Sequence, residues 1–214
     1  MPEPATDQRT VARLFAGLLG EAGTATPAEV ARRAGVSAEA AAETLAALER
    51  EGLVERMPEG AYRAARLDSR ELRELYPAVL LLEAVAVRHA PPLAADALAA
   101  MDEANERLKA TADPVEAARA DDDFHRALTA GCGNARLLSV LRPVRRALLP
   151  YEHVYMESAQ RRARSAAQHD AIVAALCAGD HEHAAALIRH NFTSALPDLT
   201  AELDARRGDG SPGR

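Results

Sequence analysis

The segment that decides the N-terminal fold is TPAEVARRAGVSAEAAAETLAALEREGLVERMPEGAYRA, residues 26–64. Thr26 followed by Pro27 is typical of a helix start, with the hydroxyl as N-cap and proline at the first helical position. Gly35 ends that helix, because glycine readily adopts the left-handed conformation of a C-cap. Ser37 is a second N-cap two residues later. The segment therefore predicts two helices, residues 27–34 and 38–51, joined by a short glycine turn.

A short hairpin follows these two helices. Residues 53–55 alternate as a strand does, 58–60 form a tight turn, and 61–63 return as the partner strand. Upstream, residues 10–19 place apolar side chains on one helical face. The order of helix, helix, turn, helix and hairpin predicts a winged helix-turn-helix over residues 1–66, a fold used to bind double-stranded DNA.

The rest of the chain has helical periodicity and no strand pattern. Residues 67–204 divide into about six helices joined by short connectors. Such a segment predicts an antiparallel all-helical bundle, so the fold class is mostly α. Residues 205–214 are rich in Gly and Arg and are predicted to be a flexible tail. The breaks are expected at Pro91-Pro92, Asp113-Pro114, Gly131–Asn134, Pro150, the Gln160 region and Gly179-Asp180.

Composition excludes several classes of protein. The net charge is −6, so DNA binding requires a local basic surface rather than a polycationic chain. Cys132 and Cys177 are far apart in sequence, which argues against a disulfide framework. We find no signal peptide and no apolar run long enough to span a membrane, so a cytoplasmic location is expected.

Four side chains in the helical segment have the chemistry of metal ligands. Asp121 and His125 are four residues apart, on one face of a helix. His169 and His190 occur on two later helices, beside apolar residues that point inward. One carboxylate and three imidazoles suit zinc, nickel, manganese or iron, and the sequence does not select among these divalent ions.

Two longer stretches carry a resemblance to a known family. DDDFHRALTAGCGNARLL (residues 121–138) and QHDAIVAALCAGDHEHAAALIRH (residues 168–190) resemble the FCD domain, the effector domain of the FadR branch of GntR transcription regulators. The N-terminal segments TPAEVARRAGVS and LAALEREGLVERMPEGAYRA resemble the DNA-binding domains of GntR and IclR regulators. The resemblance implies that Asp121, His125, His169 and His190 hold a metal, that a small organic acid binds near it, and that the protein is a homodimer.

The predicted recognition helix departs from the family pattern. Ala38 and Ala42 stand where GntR regulators typically have arginine, and Glu39 and Glu43 lie beside them. Arginine is the commonest reader of guanine, so this helix has fewer base-reading side chains than the family pattern provides. The remaining candidates for DNA contact are Arg32, Arg33, Ser37, Thr44, Arg50, Arg56 and Arg63.

The effector domain also departs from the family. Val79 stands where an arginine often helps to hold the effector carboxylate, so the effector could instead be larger and more apolar. Arginines elsewhere could bind a carboxylate effector, or could form a solvated basic face. The candidates for effector contact are Arg142, Arg145, Arg146 and Arg164.

Two functions fit these observations. The first is a ligand-responsive transcription regulator, a repressor that binds operator DNA as a dimer and is controlled by a small molecule at a metal site. The second is a metal-dependent enzyme or small-molecule-binding protein that kept the architecture and lost specific DNA binding. The intact turn, helix caps and wing favour the regulator, whereas the arginine-poor recognition helix favours the alternative.

Overall fold

The computed structural model describes residues 24–209. The chain forms two compact units, Met1–Arg66 and Leu67–Arg214. The described part of the first unit contains two helices, a two-stranded sheet and a 3-10 turn. These elements are α1 (Pro27–Ala34), α2 (Ala38–Arg50), β1 (Val54–Arg56), the turn Pro58–Gly60 and β2 (Tyr62–Ala64).

The two helices begin and end where their caps predict. Thr26 and Glu29 form a reciprocal capping box at the start of α1, and Gly35 closes the helix with a φ of 68°. The Ser37 hydroxyl accepts from the Ala40 amide at the start of α2. The predicted helix at residues 10–19 lies outside the described residues.

The wing is an antiparallel hairpin packed on the helices. Its register pairs Val54 with Ala64 and Arg56 with Tyr62, and Tyr62 also forms a bridge to Ala25 ahead of α1. Leu45, on α2, is completely buried. These few apolar side chains form a small core that supports α2 and the wing.

The second unit is entirely helical over its described residues. Its helices are α3 (Ser69–Arg88), α4 (Ala95–Ala110), α5 (Pro114–Ala130), α6 (Ala135–Met156), α7 (Ala159–Cys177) and α8 (His181–Asp209). The helix α3 packs on α6 and α8, while α4 packs on α5 and α7. One continuous core of mainly Ala, Leu and aromatic side chains lies between them. The predicted fold class, a winged helix-turn-helix followed by a helical bundle, is confirmed.

Two boundaries differ from the sequence prediction. The helix α6 continues through Pro150, which is buried together with its neighbours Leu149 and Tyr151. The helix α8 continues to Asp209, whereas a flexible tail was predicted from residue 205. Ion pairs hold this last turn, since Arg206 pairs with Glu157 and Glu202. None of the helices in residues 24–209 is both long and apolar enough to cross a membrane.

Candidate metal centre

Two of the predicted metal ligands lie one turn apart on α5. Asp121 and His125 are both buried, and His125 Nε2 is 3.9 Å from Asp121 Oδ2. The pair faces the bundle core because the apolar residues of α5, such as Phe124 and Leu128, line the same side of the helix. A carboxylate oxygen and an imidazole nitrogen are therefore held together away from water.

His169 joins this pair from α7. Its side chain is fully buried, its Nε2 is 3.5 Å from Asp121 Oδ1, and its ring stacks on Phe124 with centroids 3.8 Å apart. One ligand atom each from Asp121, His125 and His169 lie within 4.8 Å of one another. This separation lets one cation contact all three.

His125 is oriented by a buried carboxylate on α3. Its Nδ1 is 2.6 Å from Glu83 Oε2. With a carboxylate as acceptor, Nδ1–H donates, and Nε2, the atom nearer Asp121, is the nitrogen that can coordinate a metal. Burial raises the pKa of Glu83, but the His125 and Arg145 charges and hydrogen bonds outweigh burial, so that this pKa lies below its usual value. Glu83 is therefore an ionised acceptor.

His169 is oriented by an amide on α4. Asn105 donates through Nδ2 to Ala166 O at 3.0 Å and to Asp170 Oδ1 at 2.7 Å. Its Oδ1 therefore faces His169 Nδ1, at 3.2 Å, and accepts from that nitrogen. The His169 Nε2 keeps its lone pair, is buried, and has no hydrogen-bond partner among the described residues. An unpaired buried nitrogen of this kind is what a metal would satisfy.

The ionisation states of His169 and Asp121 also favour the binding of a cation. Burial, followed by the His125 and Arg145 charges, holds the pKa of His169 well below its usual value, so the ring is neutral and able to coordinate. Burial is the largest influence on Asp121 and raises its pKa, with His125 and Arg145 acting in the opposite direction. A dication would stabilise the ionised carboxylate. The donor set of one oxygen and two nitrogens fits zinc, nickel, manganese or iron.

The fourth predicted ligand, His190, lies elsewhere. Its side chain is exposed on α8. Successive residues of a helix are about 100° apart, and the buried face of α8 carries Ile188, Asn191 and Phe192. Asn191 donates to Gln168 Oε1 at 2.8 Å. The assignment of His190 as a metal ligand was therefore wrong, because the next residue, Asn191, occupies the inward-facing position on the helix.

Arg145, one of the predicted effector contacts, is the centre of a buried ion cluster. Its Nη1 donates to Glu83 Oε1 at 3.0 Å, and its Nη2 donates to Glu152 Oε1 at 3.0 Å. Both Nε and Nη2 lie within hydrogen-bond distance of Asp122 Oδ1, at 3.3 and 3.2 Å. We call Arg145, Glu83, Asp122 and Glu152 the Arg145 cluster. Because Glu83 also contacts His125, this cluster is contiguous with the predicted metal ligands.

The other predicted effector arginines have different surroundings. Arg164 donates to Tyr155 Oη at 2.8 Å and pairs with Asp198. Arg142 is exposed on α6, and Arg146 is half-buried on the same helix. Of the four arginines predicted to contact the effector, Arg145 is the one that contacts Glu83, the residue that orients His125.

The predicted DNA contacts of the two helices differ in their exposure. Arg32, Arg33 and Arg50 are exposed. Ser37 is also exposed, and its hydroxyl caps α2. Thr44 is buried and donates to Ala40 O at 2.8 Å, so its assignment as a DNA contact was wrong.

The wing arginines are paired with glutamates. Arg56 Nε lies 3.2 Å from Glu49 Oε2, and Arg63 Nη2 lies 2.6 Å from Glu55 Oε2. These side chains are more than a third exposed, so DNA phosphates could compete for the arginines at modest cost. On α2, Glu39 is exposed.

Sequence reasoning missed two residues that orient the predicted metal ligands. These are Glu83, which contacts His125, and Asn105, which contacts His169. Glu83 had a visible signal, since it is a lone acid in the apolar run LLLEAVAV. A charged residue on the inward face of a helix requires a buried partner. Asn105 carried no comparable signal, because its neighbours in sequence are ordinary for a solvated helix.

Comparison with known proteins identifies the family. The sequence matches the FCD domain over residues 74–194 and the sugar-specific transcriptional regulator TrmB over residues 10–79. The first match spans more than half of the chain, and the chain belongs to the FCD domain family. None of the curated proteins matches the chain significantly.

Solved structures share the fold over nearly the whole chain. A transcriptional regulator GntR from Rhodococcus sp. RHA1 is 21% identical, with a TM-score of 0.71 over 92% of this chain and 95% of that one. McbR/YncC of E. coli is 21% identical, with a TM-score of 0.68 over 94% and 96%. A GntR family member from Pseudomonas syringae pv. tomato is 22% identical, with a TM-score of 0.57 over 87% and 79%. The chain therefore contains an FCD domain and shares the fold of these proteins.

Proposed function

We propose that the protein is a GntR-type transcription regulator that binds operator DNA as a homodimer in the cytoplasm, represses transcription there, and is controlled by a ligand at a metal held by Asp121, His125 and His169. One observation carries the proposal. Two buried histidines, each with its Nδ1 held by a separate acceptor, present Nε2 beside the same carboxylate. Burying these polar nitrogen atoms without a cation to bind them would be energetically unfavourable.

The metal would supply positive charge and open coordination positions. Three protein ligands leave at least one position for another molecule, whichever of zinc, nickel, manganese or iron is bound. A ligand at that position would also contact the bundle helices. Its binding could then favour one arrangement of the protein over another, which is the requirement for control of DNA binding.

Dimer formation is supported by an exposed apolar surface. Leu81 and Val85, one turn apart on α3, are 58% and 44% exposed, and Val140 on α6 is 54% exposed. The helices α3 and α6 pack against each other. A second copy of the chain would cover these side chains, and a dimer suits the two half-sites of an operator. Sedimentation of Leu81→Glu beside the unchanged protein tests this surface, with a monomer expected for the variant.

DNA binding would depend on a few cations. Arg32 and Arg33 lie in the last turn of α1, and Arg50 is the last residue of α2, all at exposed positions of the first unit. Arginines there would neutralise phosphates and place α2 in the major groove. The carboxylate of the exposed Glu39 would repel DNA phosphates. This residue therefore favours the alternative in which specific DNA binding has been lost.

The test is fluorescence anisotropy of labelled DNA from beside the protein's own gene, titrated with purified protein over a range of salt. We expect saturable binding that exceeds binding to shuffled DNA of the same length, and that weakens as salt rises. Equal affinity for both DNAs at low salt, from protein that still binds one metal per chain, would exclude the regulator and support the alternative.

A further inference from the structure

Lys109 lies at the surface beside the residues that orient His169. It is on α4, four residues after Asn105, so the two side chains share one face of the helix. Its Nζ donates to Asp170 Oδ1 at 2.8 Å and to Glu106 Oε1 at 2.9 Å. Asp170 follows His169 directly on α7. An ion pair between α4 and α7 therefore lies next to a proposed metal ligand.

A chain of hydrogen bonds runs from Lys109 into the helical unit. The Asp170 oxygen that accepts from Lys109, Oδ1, also accepts from Asn105 Nδ2 at 2.7 Å. The Asn105 Oδ1 in turn accepts from His169 Nδ1, 3.2 Å away. The side chains of Lys109 and Asp170 are 37% and 56% exposed. Since Asn105 and His169 are buried, these four residues, which we call the Lys109 relay, connect a surface cation to a buried imidazole.

The position of the Asp170 carboxylate depends on its two donors. An exposed aspartate is free to rotate toward water, and each hydrogen bond that it accepts opposes this rotation. Hydrogen bonds from the Lys109 amine to Asp170 and then Glu106 raise the pKa of Lys109, so its ammonium form is favoured. Hydrogen bonds from a charged donor are stronger than those from a neutral amide. Lys109 is therefore the donor that contributes most to holding Asp170 beside Asn105.

We infer that Lys109 is a positioning residue for the metal ligand His169, and that it acts through the relay. This inference rests on the proposed metal site. With Asp170 in place, the Asn105 amide cannot turn its oxygen away from His169 without leaving a buried donor unpaired, which is unfavourable. The His169 ring is thereby held with Nδ1 toward Asn105 and with Nε2 toward Asp121, 3.5 Å from Oδ1.

The sign of the effect on metal affinity separates the relay from simple electrostatics. Lys109 is positively charged, and through space a positive charge opposes the binding of a cation. If Lys109 acted only in this way, its removal would tighten metal binding. Breaking the relay has the opposite consequence, because a ligand that is held less well binds metal more weakly.

Chelator competition for Zn²⁺ on the full chain measures this effect. Lys109→Met keeps an unbranched side chain and removes the ammonium, so Zn²⁺ affinity should fall about threefold to tenfold, less than for a residue that contacts a ligand directly. In Asp170→Ala, where the relay is already broken, the same substitution should cause no further loss. Arg88→Met, which removes an exposed cation paired with Glu182, is the control and should bind Zn²⁺ normally. Unchanged or tighter binding in Lys109→Met would overturn the inference, as would a further loss in the Asp170→Ala background.

The ring proton of His169 tests the relay in the metal-free protein. With ¹⁵N-labelled histidine, the Nδ1–H signal is assigned by its absence from His169→Gln. We expect this signal to shift in Lys109→Met and to stay in place in Arg88→Met, because hydrogen bonds in a chain polarise one another. A signal that Lys109→Met leaves unchanged would overturn the relay. Failure of the unchanged protein to bind Zn²⁺ would instead contradict the proposed metal site, so the two failures are distinguishable.

Discussion

His125 Nδ1 lies 2.6 Å from Glu83 Oε2, and both side chains are buried, one on α5 and the other on α3. Glu83 also accepts from Arg145 on α6 through its second oxygen. One carboxylate therefore orients a proposed metal ligand and joins three helices. This arrangement makes metal affinity sensitive to a residue that does not touch the metal.

Replacing Glu83 should weaken metal binding. Glu83→Gln removes the charge that holds the His125 ring, and outer residues of this kind typically contribute about 10–100-fold in metal affinity. Competition with a chromophoric chelator measures the affinity. Glu74→Gln, at an exposed position of the same helix, is the control and should bind metal normally. Unchanged affinity in Glu83→Gln would show that His125 does not need this carboxylate.

The two later histidines should behave oppositely. His169→Ala removes a buried donor and should abolish stoichiometric metal binding, whereas His190→Ala removes an exposed side chain and should retain it. Metal content per chain after dialysis, measured with circular dichroism as a check on folding, compares the two. Loss of metal from His190→Ala would restore the four-ligand assignment and contradict the three-ligand centre.

The low pKa of His169 predicts a pH dependence in the metal-free protein. A folded-state pKa below the unfolded value of 6.5 means that the unfolded chain binds the proton more readily. The resulting stability is complete above about pH 6.5 and is lost as the pH falls toward the folded-state pKa. Urea unfolding at several pH values should show a steeper loss in the unchanged protein than in His169→Gln. Parallel curves would contradict a depressed pKa.

The burial of Thr44 separates it from the exposed arginines. Thr44→Val keeps the packing volume and removes one hydrogen bond, so DNA affinity should not change. Arg32→Ala with Arg33→Ala should weaken binding to every sequence and reduce the log–log salt slope by about 2. Anisotropy titrations at several salt concentrations give both quantities, and Arg136→Ala, an exposed arginine of the other unit, is the control. A large effect of Thr44→Val would place that side chain in the DNA interface.

Local signals accounted for most of the fold. The caps at Thr26 and Ser37, the glycine at residue 35 and the hairpin turn act within a few residues, so the sequence was enough to place α1, α2 and the wing. Proline was a weaker guide, because α6 accommodates Pro150 in a buried stretch and ends six residues later. Whether a proline ends a helix depends on packing that comes from distant parts of the chain.

The candidate site was only partly predictable for the same reason. Asp121 and His125 share a helical face, which spacing alone reveals, and His169 was indicated by its apolar neighbours and by the resemblance to the FCD domain. The exposed position of His190 reflects the rotation of α8, which Ile188 and Phe192 fix by packing in the core. The bond from Asn105 to His169 joins residues 64 apart in sequence, and no local pattern predicts it.

The most direct test of the central claim is the affinity for operator DNA of metal-loaded and chelator-stripped protein, measured side by side with His169→Ala. A metal centre that controls DNA binding predicts at least about a fivefold difference between the loaded and stripped forms, and none for the variant. Equal affinity of the loaded and stripped protein, with metal shown to bind and leave, would contradict metal-dependent control.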